Sequence, residues 1–424
     1  MATNAKENQK STKANIAQKS TKNNEVKNIL ENLVLNNEQI RSLFSQICSS
    51  RFGTKSEISK ALLPTLELGS EKTFKSLENE FNGKVQHGSW QKLQWSAVLN
   101  LSAGTFWNVS SQKAAYYSKK WEALNQIEEI LKEALKISIF SFIYEQRFTA
   151  TKNYAKQRKL DLDEFKARKN AGDASNQEIA NAKANFAQAQ AYEASDNSEL
   201  TSSSNFSSLI FGKKVRLSDN SLASFLERKY TQTSSLIKAK FDLKAAKSKK
   251  IQALTSPTPQ LSASYSNQNN PELNPLQTNG FQRRFKGPAL AIKASVQLGP
   301  SSFFDIFASA KSEEAAKLNF EWKKKEDRSK FDSLKSELKS LQQSLNSANL
   351  AVQASELEVK AKKLAYNEGQ SNYFDLSEAR SNYYQKLRQL YDIKKSYIEK
   401  SLDLMKITGY FREIAVSLNE NKEI

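Results

Sequence analysis

The sequence predicts a mainly α chain with a small β part, built from internally duplicated long antiparallel helical hairpins and four short strands. Three observations carry this expectation. Apolar residues recur three and four apart over two stretches of roughly 65 residues, a period that a helix satisfies and a strand does not. Four shorter segments alternate apolar with polar residues, the period of a strand with one covered face. The same order of elements occurs once in each half of the chain, which marks an internal repeat.

Residues 1–24, rich in Lys, Asn, Ser, Thr and Gln, read as a disordered leader. They hold no apolar run of the kind a secretory signal carries, so the chain is either cytosolic or a mature form. A first repeat then covers 25–215. Val26, Leu30, Leu33, Ile40, Leu43, Phe44 and Ile47 keep helical spacing until Pro64 breaks it. A β-hairpin follows at about 64–103, with Leu66 and Leu68 in one strand and Trp95, Ala97, Leu99 and Leu101 in the other. A polar loop from about Glu71 to Lys92 joins them. Trp121, Leu124, Ile127, Leu131, Leu135, Ile139 and Phe142 mark a helix about 95 Å long. It belongs to a helical hairpin at about 104–194 that reverses at Ala171-Gly172-Asp173-Ala174-Ser175. Ser195 to Ser208 read as a connector.

The second repeat covers 216–410. It has a helix from about Ser221 to Leu254, then Pro257 and Pro259. A hairpin at about 259–299 places Leu261, Ala263 and Tyr265 in one strand and Leu290, Ile292, Ala294, Val296 and Leu298 in the other. The second helical hairpin runs over about 303–406 and reverses at Glu368-Gly369-Gln370-Ser371. Residues 411–424 read as a C-terminal tail. One constant offset carries Leu99 onto Val296, Trp107 onto Phe304, Gly172 onto Gly369, Ala182 onto Ala379 and Phe186 onto Tyr383. A slightly shorter offset carries Pro64 onto Pro259 and Leu66 onto Leu261.

Composition narrows the chemistry. With 12 Gly and 7 Pro in 424 residues, the chain is too poor in loop formers for most enzymes. Cys48 is the single cysteine, which excludes a cysteine metal cluster, and His87 is the single histidine, which disfavours the usual zinc hydrolase sites. No catalytic residues and no cofactor are expected. The formal charge of +19 suits nucleic acid, anionic lipid or acidic cargo equally. Lysines are interleaved with glutamates along the helices, however, without a basic–aromatic motif, which argues against nucleic acid.

Strands of roughly ten residues are long enough to cross a bilayer when tilted, and closed membrane barrels need at least about eight of them. Four per chain therefore call for oligomerisation, and a trimer would supply roughly twelve. A soluble coiled-coil scaffold would account for the helices but not for the strands.

Leu63-Pro64-Thr65-Leu66-Glu67-Leu68, the passage Val296-Gln297-Leu298-Gly299-Pro300 with Phe303-Phe304, and above all Leu364-Ala-Tyr-Asn-Glu-Gly369-Gln-Ser-Asn-Tyr-Phe-Asp375-Leu-Ser-Glu378-Ala379 resemble the TolC-type outer-membrane efflux protein family. The similarity runs over about 25–410 through the order of the elements. The resemblance implies a homotrimer with a twelve-stranded β-barrel in outer-membrane lipid and an α-helical barrel across the periplasm. It implies a periplasmic adaptor and an inner-membrane transporter as partners, in efflux or type I secretion. It places an acidic ring of the periplasmic gate at Asp375 and Glu378, with Tyr366, Glu178 and Ser371 associated with the gate. Ser371 stands where the family often has a basic residue, which implies that other contacts hold the closed state. Gly172, Asp173, Ala174, Gly369, Gln370 and Ser371 fall on the hairpin tips that would meet the adaptor. Glu178 also reads as an ordinary first-turn acid.

Overall fold

The structure is a computed structural model that describes residues 26, 28–33, 36–78, 85–172, 174–215, 217, 229–256, 258, 260–268, 287–296 and 299–422. In chain order its elements are α1 (Glu38–Leu62), β1 (Thr65–Glu78), β2 (Val85–Leu101), α2 (Ala103–Asn170) and α3 (Asn176–Phe211). There follow α4 (Ser234–Thr255), β3 (Gln260–Gln268), β4 (Gly287–Ser295), α5 (Pro300–Asn367), α6 (Tyr373–Ile407) and α7 (Tyr410–Lys422). The mainly α class with a small β part is what the periodicities require. The two long helices, α2 and α5, have 68 residues each.

The chain forms two compact units, and each draws on both repeats. One takes its described residues from 1–45, 122–236 and 324–424; the other from 46–121 and 237–323. In the first unit the apolar stripe of α2 is the core. Leu124, Ile127, Leu131, Leu135, Ile139 and Ile143 are buried, and so are Leu30, Ile40, Leu402, Met405 and Phe411. Each such side chain taken from water contributes about 1.5–3 kcal/mol.

In the second unit α2 and α4 meet through small residues. The hydroxyls of Ser110 and Ser248 lie 3.0 Å apart, Ser111 donates to the Ala245 carbonyl at 3.4 Å, and Ser118 donates to Asp242 at 2.5 Å. The four strands of this unit form one antiparallel sheet in the order β1-β2-β3-β4. β2 pairs with β3, so the hairpins of the two repeats join edge to edge.

Several boundaries differ from the sequence reading, each for a physical reason. The expected connector Ser195 to Ser208 is helical, as α3 continues to Phe211. Three of its polar residues, Asp196, Ser203 and Ser207, are buried: Asp196 takes Arg147 at 2.8 Å, and the hydroxyls of Ser203 and Ser141 lie 2.6 Å apart. Tertiary partners thus override the weak helix preference of serine and asparagine. The expected polar loop from Glu71 to Lys92 is mostly strand, because ladder pairing continues from Thr65↔Val98 to Glu78↔Val85. Backbone pairing of that kind does not need apolar side chains. α4 begins at Ser234 rather than near Ser221, since residues 229–233 are not helical; 218–228 lie outside the described residues. The expected tail is a helix, α7, whose Phe411, Ile414 and Ala415 are buried. The leader 1–24, Pro257, Pro259, Leu298 and most of the loop between β3 and β4 also lie outside the described residues.

Candidate functional site

Two sets of residues carry functional geometry, one in each compact unit. The first is the sheet. Residues paired across an antiparallel ladder project to the same side, so the register decides which residues share a face. Leu66 pairs with Ala97, Leu99 with Ala263, Leu101 with Leu261, Ala263 with Ile292, and Tyr265 with Leu290. One face therefore collects most of the apolar residues of all four strands, with Val98 and Ala291 on the other. The other holds Ser96, Asn100, Ser262, Ser264, Lys293 and Ser295. The apolar face is uncovered in the single chain: Leu66 is 72% exposed, Leu68 83%, Leu290 69% and Ile292 73%. β1 and β4 are open edges among the described residues. An uncovered apolar face and two unpaired edges are features that a sheet standing alone in water avoids.

The second set lies at the two helix reversals, where α2 turns into α3 and α5 into α6. Gly172 and Gly369 turn the chain with φ of 88° and 74°. This left-handed region is reached at little cost by glycine alone. An added Cβ would meet nothing at either position, so backbone conformation and not crowding is what requires glycine. Leu162 and Phe165 of α2, Ala182 of α3, and Tyr373 and Leu376 of α6 form one buried cluster, against which Ala174, Ile179, Phe186 and Tyr366 pack. The rings of Phe165 and Tyr366 both meet Tyr373 edge on, with centroids 5.2 Å and 5.3 Å away.

Beside this cluster is a buried polar network. Asp161 on α2 accepts from the Tyr373 hydroxyl at 2.5 Å and from Arg380 Nη1 at 2.7 Å. Its Oδ2 lies 3.2 Å from Arg158 Nη1, an ion pair without hydrogen-bond geometry. Arg158, 1% exposed, gives its other bonds to Ser377 on α6, at 2.7 Å to the hydroxyl and 2.6 Å to the carbonyl. Burial, and then the acceptor Asp161, push the Tyr373 hydroxyl well above the ordinary tyrosine value, so it stays a donor. Further along α2, Thr151 bonds both Asp196 of α3 and, at 2.7 Å, the Tyr384 hydroxyl of α6. Polar ties thus join the two helical hairpins.

The sequence-derived residues fall around this network in different ways. Asp375 sits in the first turn of α6, where its Oδ2 accepts from Ser371 Oγ at 3.0 Å and lies 3.7 Å from Lys362 Nζ. Glu378 is exposed one turn on. Glu178 completes a capping box: Ser175 Oγ accepts from its amide at 3.2 Å, and its carboxylate takes the Ser175 amide at 2.7 Å. That backbone bond, and then the Ser175 hydroxyl, hold its carboxyl below the usual glutamate value. Tyr366 reaches α2, its hydroxyl 3.4 Å from both Glu164 and Arg168. Gln370 is exposed and donates its backbone amide to Ala365 at 2.8 Å. Asp173 lies outside the described residues.

Sequence reading missed Asp161, Arg158, Ser377 and Arg380. The signal was present, because Thr151, Ala155, Arg158, Leu162 and Phe165 step three and four apart along one buried face. A charge in such a stripe must find partners or destabilise the fold. Among the described residues, no group of acidic, histidine or cysteine side chains could hold a metal, and no helix is long and apolar enough to cross a membrane.

No protein-family model and no curated protein sequence matches the chain. Solved structures do. The outer membrane channel CmeC of Campylobacter jejuni superposes with a TM-score of 0.75 at 14% identity, over 91% of this chain and 86% of that one. The open-state outer membrane channel MtrE of Neisseria gonorrhoeae gives 0.75 at 15%, over 91% and 88%. The outer membrane protein VceC of Vibrio cholerae gives 0.75 at 12%, over 91% and 96%. The chain has the TolC-type fold.

Proposed function

We propose that this chain is one subunit of a trimeric outer-membrane channel, which passes efflux or secretion substrates received from an inner-membrane transporter and a periplasmic adaptor. The observation that carries this reading is the four-stranded sheet with one continuous, uncovered apolar face and two open edges. Three copies would close such sheets edge to edge and turn the apolar faces to lipid, which satisfies every backbone group inside the bilayer. The fold shared with CmeC and MtrE, both described as outer membrane channels, supports the channel reading. The chain has no catalytic role in this reading. Asp375 and Glu378 form the acidic ring at the periplasmic gate, with Tyr366, Glu178 and Ser371 beside it. The tips at Gly172, Asp173, Ala174, Gly369, Gln370 and Ser371 meet the adaptor.

Purified protein should need detergent, migrate as a heat-sensitive trimer and conduct ions in planar bilayers. A monomer dispersed in plain buffer would overturn the reading in favour of a soluble scaffold. Replacing Asp375→Asn and Glu378→Gln together should reduce the preference for cations, because a ring of three carboxylates concentrates them at the constriction. Unchanged selectivity would remove the ring assignment and leave the channel standing.

A further inference from the structure

Where the chain enters α4, four successive residues bond four different helices. Thr231 donates its hydroxyl to the Ile407 carbonyl at the end of α6, at 3.5 Å. The carbonyl of Gln232 accepts from Arg412 of α7. Thr233 donates to Asp327 of α5, and Ser234 donates to Glu128 of α2. Glu128 and Ser234 are each 1% exposed. Gly409 makes the junction possible, with φ of 80° and a position where a Cβ would lie 2.6 Å from Arg412 Nη2 and 2.8 Å from Thr231 Oγ1.

We propose that Glu128 is a proton-operated catch: while its carboxyl is neutral, segment 231–234 is held on all four helices, and ionisation releases it. Burial is the main reason a charge is unwelcome there, and it pushes the Glu128 carboxyl up to about 7 against the hydrogen bond from Ser234. The charged groups around it are Glu129 on α2, Lys406 on α6, Arg412 on α7 and, through Thr233, Asp327 on α5. Both cations are already engaged. Lys406 bonds Glu129, and Arg412 bonds Gln232 and, at 3.3 Å, Thr231. Ser234 covers Glu128, so an ionised carboxyl regains water only when segment 231–234 lifts away. The folded value lies above the ordinary 4.5, so the catch is fully engaged below that pH and is lost as pH rises through about 7.

The test is amide hydrogen exchange of residues 229–236 in the full chain in detergent, corrected for intrinsic rate, from about pH 5.5 to about pH 8. Protection should fall at least about tenfold across the range, with a midpoint near 7. Glu128→Gln keeps the acceptor and cannot ionise, so it should hold the segment protected throughout. Ser234→Ala removes the bond and should leave the segment exposed throughout. A wild-type segment equally protected at both ends of the range, or a pH step that survives in either variant, overturns the proposal.

Discussion

At the first helix reversal Ser175 caps α3 and the acid three residues on is Glu178; at the second, Asn372 caps α6 and the acid in the same place is Asp375. Both reversals turn through a glycine of positive φ, and both caps accept the amide of the acid, at 3.2 Å and 2.8 Å. The difference is one methylene. Glu178 is long enough to reach back to the cap's own amide, so its charge is consumed in a local bond. The carboxylate of Asp375 instead meets Ser371 and Lys362 and remains open to outside charges. The reversals also differ in how they are tied down. Tyr373, Ser377 and Arg380 bind the second to Arg158 and Asp161 of α2, and no equivalent buried charge stands in the first turns of α3. The two reversals share one plan, yet one is a capped corner and the other a fastened one.

The tie of the second reversal gives the largest expected effect. Asp161→Asn leaves Arg158 and Arg380 without a countercharge, and breaking a buried pair from one side costs about 3–5 kcal/mol. Glu164→Gln, which removes a half-exposed partner of Arg168, should cost about 0–1 kcal/mol. Denaturant unfolding of the two variants compares them directly. Equal losses would show that the network is not what fastens the hairpins. The caps come next. Ser175→Ala removes one bond and unseats the returning Glu178, so it should cost about 1–2 kcal/mol, while Asn372→Ala should cost about 0.5–1 kcal/mol. Exchange rates at the first turns of α3 and α6 report each cap separately, and a larger loss at α6 would reverse the comparison.

How much of this was legible in the sequence depends on whether a feature is periodic. Leu124 to Ile139 on α2, and the alternation through Leu261 to Tyr265, were readable because apolar side chains recur at the period of the element. The glycine turns were readable because φ near 80° leaves few other residues. α3 beyond Ala194 was not, since its helicity rests on Asp196, Ser203 and Ser207 finding partners elsewhere in the chain. Of the candidate site, the sequence placed Gly172, Gly369, Glu178 and Asp375 at the reversals. It could not disclose that Asp161 faces Tyr373, because those residues are far apart along the chain and only the fold brings them to 2.5 Å.

The smallest effect is also the sharpest discriminator between the two corners. Glu178 is held below the ordinary 4.5 by the Ser175 amide and then by the Ser175 hydroxyl. A carboxyl depressed in the folded state adds stability that is fully present above its unfolded value and disappears as pH falls through the folded one. Acid should therefore loosen the first turn of α3, seen as faster corrected exchange at the Ser175 amide. Glu178→Gln keeps an acceptor without a charge, so its exchange at that amide should stay level over the same range. Because the carboxylate is exposed, salt and water screen it and the change will be small. Its presence in the wild type and absence in the variant is what matters, since a matching acid response in both would mean that a group other than Glu178 titrates at the corner.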